Sequence, residues 1–205
     1  MVMKRIFITN MSLQGRGDLG RVFYNPKGFT LTENRKTRFP IIPIIFENLK
    51  EEDPIKIIVL RTVNGDTEDN LSHFYDELNE LGISGSQVEV IETEENQDRT
   101  TEVGMLLDLI HSIDSGSLAF FDITFGTKPM SALLLYAASF VQKLKDVQLG
   151  GIYYGEIPRK NGRPIEGAES LYDMTHFTYL GNMINDLAEI GCEDPERMLH
   201  NLLEF

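Results

Sequence analysis

The stretch Ala119-Phe-Phe-Asp-Ile-Thr-Phe-Gly-Thr-Lys-Pro-Met130 joins the end of one predicted strand to the start of one predicted helix. The apolar run from Leu118 to Phe121 has the length and content of a buried strand. The segment from Met130 to Leu144 is rich in Leu, Ala and Val and lacks Gly and Pro, which predicts a helix. A strand, a short polar loop and a helix in this order are typical of parallel α/β sheets.

The loop between this strand and helix carries groups that suit an anion. Pro129 is compatible with the first helical turn, because no N–H donor is needed there. Gly126 allows the backbone to approach a ligand closely. Two hydroxyls and a cation lie beside the helix N-terminus, those of Thr124, Thr127 and Lys128. Free N–H groups and the helix dipole favour an anion at this place, so the loop is predicted to hold a phosphate or the edge of a nucleotide.

The loop does not follow the two common phosphate-binding patterns. The Walker spacing of Gly, four residues and Gly-Lys-Ser/Thr is missing from the sequence, and the loop lacks Gly-x-Gly-x-x-Gly. The stretch Gly15-Arg-Gly-Asp-Leu-Gly20 matches the second pattern by letter. It lies in a polar region several residues after the first predicted strand, with no helical pattern behind it. We therefore interpret it as a flexible loop and not as a cofactor loop.

Composition limits the partners of this chain. Its 205 residues carry a net charge of −13, which is unfavourable for long nucleic acids because their binding normally needs a basic face. A small anion held by a few local donors remains compatible with that charge. The single cysteine, Cys192, excludes an internal disulfide and fits a reducing cytosol. We expect a cytoplasmic protein without a signal peptide or a membrane span.

Strand and helix patterns alternate along the chain. Strands are predicted at residues 6–8, 55–60, 88–91, 118–121 and 149–154. Helices are predicted at 39–49, from Asp69 to about Leu81, from Thr100 or Thr101 to 113, at 130–144, at 179–190 and from 194. We interpret Tyr24 to Gly28 as a turn and Lys160 to Arg163 as a hairpin with an Asn-Gly turn. The pattern predicts an α/β, Rossmann-like three-layer fold with a mainly parallel sheet and a C-terminal helical appendage.

The carboxyl ends of parallel strands share one edge of a sheet, where ligands bind at the topological switch point. Thr9 to Ser12 and Asp122 to Lys128 both follow predicted strands, so we expect these loops to meet there. We expect Asp122 to cap its own loop through backbone N–H groups rather than to act as an acid catalyst. The segment Arg99-Thr100-Thr101 is compatible with a third ligand loop and equally with a surface loop. The pair Tyr153-Tyr154 is more typical of core packing than of stacking on a base.

Three segments of the chain resemble the CRISPR-associated Rossmann fold, the CARF sensor domain. Phe7-Ile-Thr-Asn-Met-Ser12 is similar to the first ligand loop of that family. Asp122-Ile-Thr-Phe-Gly-Thr-Lys-Pro129 is similar to its Asp-x-Thr-x-Gly signature, and Leu171-Tyr-Asp-Met-Thr175 to its Tyr-Asp-Leu-Thr segment. Members often have His-Gly-Phe-Arg after the threonine, whereas this chain has Phe125-Gly-Thr-Lys128. Lysine can replace that arginine as a charge but not as a planar bidentate donor.

The resemblance covers residues 1–178 and implies a homodimer that binds a cyclic oligoadenylate across its two-fold axis. This second messenger belongs to type III CRISPR antiviral defence. Cyclic tetra-adenylate is the expected ligand, and the hexa-adenylate would make similar contacts. No metal or cofactor is expected. The predicted ligand-binding residues are Thr9, Asn10, Met11, Ser12, Asp122, Thr124, Phe125, Gly126, Thr127, Lys128, Arg99 and Thr100.

Two alternatives stay open beside the sensor. A ring nuclease would cut the same messenger without a metal, through Lys128, Thr127 and Ser12, while a sensor would have no catalytic residue. A mononucleotide-binding Rossmann-type enzyme is the other, although the sequence lacks its usual glycine-rich loop.

We expect residues 179–205 to form helices that pack on the dimer or couple it to an effector domain or partner protein beyond residue 205. Their apolar residues recur with helical spacing on two faces, one with Leu180, Met183, Ile184, Leu187 and Ile190 and the other with Leu199, Leu202 and Leu203.

Overall fold

The structure is a computed structural model that describes residues 2–15, 19–50, 52–96, 98–161 and 163–203. Within these residues strands and helices alternate along most of the chain. The strands are β1 Arg5–Asn10, β2 Asn25–Lys27, β3 Ile55–Thr62, β4 Val88–Thr93, β5 Leu118–Asp122, β6 Gln148–Glu156, β7 Arg159–Lys160, β8 Arg163–Pro164 and β9 Ser170–Asp173. The helices are α1 Ile41–Glu47, α2 Gly65–Glu80, α3 Arg99–Ser112, α4 Lys128–Leu144, α5 His176–Glu189 and α6 Pro195–Leu203.

The main sheet has seven strands in the order β2-β9-β6-β5-β1-β3-β4. The strands from β6 to β4 pair in parallel, and β9 joins β6 in an antiparallel direction. From β1 the chain builds outward through β3 and β4, then returns to place β5 and β6 on the other side of β1. The topological switch point therefore lies between β1 and β5. The predicted α/β, Rossmann-like fold with a mainly parallel sheet is confirmed.

Alternate residues of the central strands enter two separate cores, one on each face of the sheet. Ile6 and Ile8 of β1 belong to the core that α3 and α4 cover. Phe7, between them, belongs to the core that α1 and α2 cover. Side chains of a strand point alternately to its two faces, so a continuous apolar run indicates a strand buried on both sides. This pattern produces the three layers.

The aromatic pair Phe7 and Phe120 determines the backbone of the neighbouring strand. The two rings stack with centroids 5.0 Å apart at 13°. The register of β5 and β6 shifts between Ala119 and Phe120. A Cβ atom on Gly150 of β6 would lie only 2.4 Å from Cε1 of Phe120. Glycine is required at this position because the Phe120 ring occupies the space of a side chain.

The prediction of a turn from Tyr24 to Gly28 is wrong in part, because Asn25–Lys27 forms strand β2. This strand pairs in parallel with β9 at the edge of the sheet. The Asn25 side chain donates through Nδ2 to the carbonyl oxygen of Glu169 at 2.9 Å. Pro26 is tolerated because one side of an edge strand needs no N–H donor. The pairing joins residues far apart in sequence, so local turn residues alone gave the wrong prediction.

The start of α2 also differs from the prediction. The helix begins at Gly65, with Asn64 as its N-cap, whereas Asp69 lies inside the helix. Asn64 Oδ1 accepts from the Thr67 backbone N–H at 2.9 Å, and Thr67 Oγ1 accepts from the Asn64 N–H at 3.3 Å. This reciprocal capping box satisfies two N–H groups and fixes the start of the helix. The predicted end of the helix at Gly82 is confirmed, with a φ of 75° at that glycine.

Most other predicted elements are confirmed within one to three residues. The Lys160–Arg163 hairpin forms through β7 and β8, although its Gly162 lies outside the described residues. Residues 16–18 of the Gly15–Gly20 stretch also lie outside them. Helices α5 and α6 form the C-terminal appendage, and the boundary predicted at residue 178 falls in the first turn of α5. The side chains of Leu202 and Leu203 are outside the described residues. No helix in the described ranges is both long and apolar enough to cross a membrane.

A buried carboxylate anchors the long segment between β1 and α1 to α2. Glu77 of α2 is 2% exposed and accepts from Thr37 Oγ1 and, at 3.0 Å, from Arg38 Nη1. Arg21 Nε lies 3.2 Å from the same carboxylate. Three residues from two parts of the segment thus converge on one side chain. This network replaces the regular secondary structure that much of the segment lacks.

We expect Glu77→Gln to reduce the free energy of unfolding by about 2 kcal/mol, because a buried ion pair loses one charge and keeps the other. Urea unfolding followed by circular dichroism measures the loss. The matched control is Glu80→Gln, which removes an exposed partner of Arg21 on the same helix. That change should cost less than about 1 kcal/mol. Equal losses in the two variants would contradict the anchoring role of Glu77.

Candidate functional site

The loops after β1 and β5 meet at the switch point, as the sequence predicted. Thr9 and Asp122 are register partners in adjacent parallel strands. Thr9 Oγ1 donates to Asp122 Oδ2 at 2.9 Å, and both side chains are almost completely buried. The contact joins residues that are 113 positions apart in sequence. It ties the end of β1 to the end of β5.

The Asp122 carboxylate organises the loop that follows it. Its Oδ1 accepts from the backbone N–H of Thr124 at 3.0 Å and also from the Thr124 hydroxyl. Burial raises the pKa of Asp122 to about 6, while hydrogen bonds from Thr124 and Thr9 oppose that rise. These contacts are those of a carboxylate that caps its own loop.

Thr124 connects this loop to the next strand. Its Oγ1 accepts from the backbone N–H of Gly155 in β6 at 2.7 Å. The hydroxyl therefore donates to Asp122 and accepts from β6 at the same time. A single Asp-x-Thr segment thereby connects β1, β5 and β6 at their carboxyl ends.

A second Asp-x-Thr segment, Asp173 to Thr175, repeats this arrangement at the end of β9. The Thr175 N–H donates to Asp173 Oδ1 at 2.9 Å, and the Thr175 hydroxyl donates to the same oxygen. Thr175 Oγ1 accepts from the Ile152 N–H of β6 at 3.0 Å. Both segments thus hold β6, one from each side. The sequence analysis did not recognise this role, although the equal spacing of the two segments was visible.

Asn10 has one satisfied and one unsatisfied polar group. Its Nδ2 donates to the carbonyl oxygen of Phe125 at 3.1 Å, which fastens the two loops together a second time. Its Oδ1 is buried and has no hydrogen-bond partner among the described residues. An unpaired buried acceptor costs free energy, and such groups in folded proteins call for a physical explanation. A ligand that brings an N–H or O–H donor would satisfy it.

Gly126 is required by the fold of the loop itself. Its φ is +84°, and an added Cβ would lie 3.2 Å from Cβ and Cγ of Asn10 and from Sδ of Met130. The space next to its Cα is therefore occupied by the protein. The sequence analysis explained this glycine by the close approach of a ligand, whereas the structure gives a conformational reason.

The N-terminus of α4 presents the predicted cation. Thr127 is the N-cap, and its hydroxyl accepts from the Met130 N–H at 3.5 Å. Lys128 is the first helical residue, its side chain is exposed, and within the described part of the chain it forms no ion pair within 4.0 Å. Pro129 follows in the first turn. A lysine here faces the positive end of the helix dipole, so a bound anion would stabilise it.

Met11 and Ser12 are predicted ligand contacts, but both side chains are buried in the structure. Met11 is buried in the core under α1 and α2. Ser12 is also buried, and its Oγ accepts from the Gln14 N–H at 3.2 Å. Asn70 of α2 donates through Nδ2 to the carbonyl oxygens of Ser12 and Gln14, at 2.9 and 3.0 Å. Asn70 thus supports the first loop, a role with no local signal in the sequence.

The third predicted loop lies beside the site but brings negative charge to it. Arg99 and Thr100 are exposed in the first turn of α3, where Asp98 is the N-cap. The backbone N–H of Thr101 and the Asn96 side chain lower the pKa of the Asp98 carboxyl. A small cleft of about 20 Å³ separates this loop from Thr127, and Arg99 and Thr100 do not line it. Three carboxylates line that cleft, those of Glu94, Glu95 and Glu102.

The two tyrosines of β6 point to opposite faces of the sheet. Tyr153 packs in the core, with its ring centroid 5.4 Å from that of Phe29. Tyr154 is partly exposed and stacks on Tyr172 with centroids 6.3 Å apart. Tyr172 donates from its hydroxyl to Glu156 Oε2 at 2.9 Å. Packing is therefore the role that the structure shows for Tyr153.

Comparison with known proteins gives this chain no family assignment. No protein-family model matches it, and no curated protein matches its sequence. Among the described residues no group of three or more His, Cys, Asp or Glu side chains is placed to hold a metal ion. The polar groups at the junction are the Asp122 carboxylate, threonine hydroxyls, the Asn10 amide, Lys128 and backbone N–H groups.

We expect Asp122 to make stability depend on pH between about 4 and 6. Its pKa is about 6 in the folded chain and ordinarily 3.8, so the folded state binds the proton more tightly. The stabilisation is complete below pH 4 and is lost as the pH rises through 6, by about 3 kcal/mol. The difference between the free energies of unfolding of wild type and of Asp122→Asn should decrease as the pH rises from 4 through 6. A difference that does not change with pH would contradict the assignment.

We expect Gly126→Ala to destabilise the chain by about 1–2 kcal/mol, because an alanine at positive φ is strained and its Cβ presses on Asn10. Thermal unfolding measures the change. Gly104 of α3 has open space around its Cα and offers the matched control. Gly104→Ala should be neutral or stabilising, since alanine favours a helix. A neutral Gly126→Ala would contradict the conformational role of this glycine.

Proposed function

We propose that this protein is a sensor that binds a cyclic oligoadenylate, most simply cyclic tetra-adenylate, between two copies of the chain. The observation that carries the proposal is the junction of the ends of β1 and β5 through Thr9 and Asp122, with Lys128 exposed at the start of α4. The junction lies at the switch point, where sheets of this kind bind ligands. The resemblance of both loops to CARF domains supports the choice of ligand.

The polar groups at the junction match the chemistry of an adenylate. The α4 N-terminus and Lys128 supply positive charge for a phosphate. Asn10 Oδ1 is an unpaired acceptor below the surface, and it can accept from the exocyclic amine of adenine or a ribose hydroxyl only when the side chain moves outward on binding. Both groups belong to loops that hydrogen bonds already hold in place. Such preorganisation reduces the entropic cost of binding.

Charge supports the choice of a small ligand. The chain carries −13 overall, and three carboxylates line the cleft beside the α4 N-terminus. A long nucleic acid would place phosphates along this acidic surface and be repelled. A compact cyclic ligand can place its phosphates near the α4 N-terminus alone. A ring with two-fold symmetry also suits two copies related by a two-fold axis.

A ring nuclease remains the second candidate, because Lys128 is exposed and free to stabilise charge on a phosphate. In that reaction a ribose 2′-oxygen of the ring attacks the adjacent phosphorus and loses its proton to solvent. The bond to the 5′-oxygen breaks, and that oxygen takes up a proton from solvent. The products are a linear chain with a 2′,3′-cyclic phosphate and a 5′-hydroxyl. Alignment of the ring and stabilisation of the phosphorane suffice for this step. The burial of Ser12 argues against its direct participation.

We expect Lys128→Ala to weaken the binding of cyclic tetra-adenylate about 100-fold, since each of two subunits loses a charge-assisted contact of about 1–2 kcal/mol. Titration calorimetry with the tetra- and hexa-adenylate measures the affinity. Lys50→Ala removes the same charge at the opposite end of the sheet and should bind like wild type. Wild-type binding by Lys128→Ala would place the site elsewhere.

The same samples distinguish the sensor from the nuclease when they are analysed for linear products. Intact ring after hours of incubation supports a sensor, whereas complete conversion within minutes supports the ring nuclease. Binding of a mononucleotide in preference to either ring would overturn both and favour a mononucleotide-binding enzyme. The first two outcomes thus separate a sensor from a nuclease for the same ligand, and the third changes the ligand class.

A further inference from the structure

Helix α4 carries an exposed row of residues on the side that faces away from the sheet. The row recurs at every fourth position and consists of Lys128, Ala132, Tyr136, Phe140 and Leu144. Tyr136 is 73% exposed and Leu144 is 70% exposed. The opposite side of α4, including Leu134 and Val141, is completely buried in the core. The exposed row is a ridge of the kind that packs into a groove of another helix.

An apolar groove lies on each side of this ridge. One groove, between α3 and α4, has a volume of about 280 Å³ and is lined by Val103, Leu106 and Tyr136. The other, between α4 and α5, has a volume of about 540 Å³ and is lined by Tyr136, Phe177 and Ile184. Either groove has room for an aromatic ring, since a cavity of about 150 Å³ holds benzene. Tyr136 is the shared wall of both grooves.

The apolar area of this face is that of a stable dimer interface. Large apolar side chains of α3, α4 and α5 are between 40% and 73% exposed on it, namely those of Val103, Leu107, Tyr136, Phe140, Leu144 and Phe177. At about 150–250 Å² for a complete aromatic residue and less for Val and Leu, they present on the order of 500 Å². A standard interface buries about 800 Å² per partner, of which about 65% is apolar in homodimers. The exposed apolar area of this face therefore agrees with the apolar area of such an interface, which is about 500 Å² per partner.

The face is also self-complementary. A two-fold axis places the same patch on both sides of an interface, so a ridge must meet a groove of the same patch. Here the ridge and its grooves lie side by side. Two copies that each carry −13 repel, but α4 contains no Asp or Glu, and the grooves beside it are lined by one carboxylate, Glu102, and one cation, Lys143. We infer that a second copy of this chain docks on the α4 face, with the ridge of each subunit in a groove of the other.

The direction of the two-fold axis follows from the proposed function, on which this part of the inference rests. A ring ligand that contacts both subunits needs both Lys128 loops at the same end of the dimer. The axis must then run along α4, so that the two copies of the helix lie side by side with the same polarity. The two positive N-termini then converge, and a bound anion between them would stabilise the pair.

Sedimentation of the full chain without ligand tests the face independently of any ligand. Wild type should be a dimer at micromolar concentration, and Tyr136→Glu should raise the dissociation constant roughly 30-fold or more, as for a central interface residue. Phe23→Glu replaces another exposed aromatic residue, on the segment that packs with the α1 and α2 side, and should leave the dimer intact. Circular dichroism checks that both variants fold. A monomeric wild type, or an equal effect of the two changes, would overturn the inference.

Single cysteines at Ala132, Tyr136 and Phe140 test the polarity in a Cys192→Ser background. Helices of the same polarity bring each position close to its own copy, so all three variants should form disulfide-linked dimers under mild oxidation. Ser72→Cys on α2, in the opposite layer, should stay unlinked. If Ala132→Cys links only to Phe140→Cys in a mixture, the helices have opposite polarity and the axis is wrong. A dimer whose α4 helices have the same polarity but that binds no oligoadenylate would support the α4 interface and overturn the proposed function.

Discussion

The carboxylate of Asp122 is the group on which the arrangement of the candidate site depends. It lies at the end of a buried strand, without contact to solvent, and accepts hydrogen bonds from Thr9 and Thr124. Burial of an ionised carboxylate is costly unless its oxygens are hydrogen-bonded. The donors it uses belong to two different segments, the end of strand β1 and the loop after β5. The need to satisfy one buried group therefore fixes the relative position of segments that are more than 100 residues apart.

The same hydrogen-bonding arrangement of an Asp-x-Thr segment appears twice in the sheet. Asp122-Ile-Thr124 and Asp173-Met-Thr175 each end a strand, and each threonine hydroxyl accepts from a backbone N–H of β6. These N–H groups lie beyond the last paired residues of β5 and β9. A side-chain oxygen thus continues the hydrogen bonding where the ladder stops. The result holds β6 from both sides and leaves the loops above it little freedom.

Charge is distributed unevenly over the molecule. The chain is acidic overall, and the cleft between the α3 and α4 N-termini is lined by carboxylates. Helix α4 is the exception, because its only charged residues are Lys128 and Lys143. Its N-terminus is therefore a local positive centre in an acidic surface. The exposed apolar row of the same helix begins at Lys128, so the proposed ligand site and the proposed dimer face share one element.

The sequence by itself determined the layers, most of the elements and the two loops of the site. Burial on both faces of the sheet is readable in apolar runs such as Ile6-Phe-Ile8, and the Asp-x-Thr-x-Gly loop combines a strand end with a helix start. These signals are local, because they depend on residues that are neighbours in the chain. The capping of α2 by Asn64 was missed because Asp69 offered a competing local signal.

Only the tertiary structure decided which distant groups meet. The pairing of Asn25–Lys27 with β9, the support of Ser12 by Asn70 and the space that Phe120 takes from Gly150 all join separate parts of the chain. No local pattern encodes these contacts, since each depends on the packing of layers that form only in the folded molecule. The exposure of the α4 row has the same origin. The sequence shows that α4 is apolar, but packing on the sheet determines which of its sides is left to bind a partner.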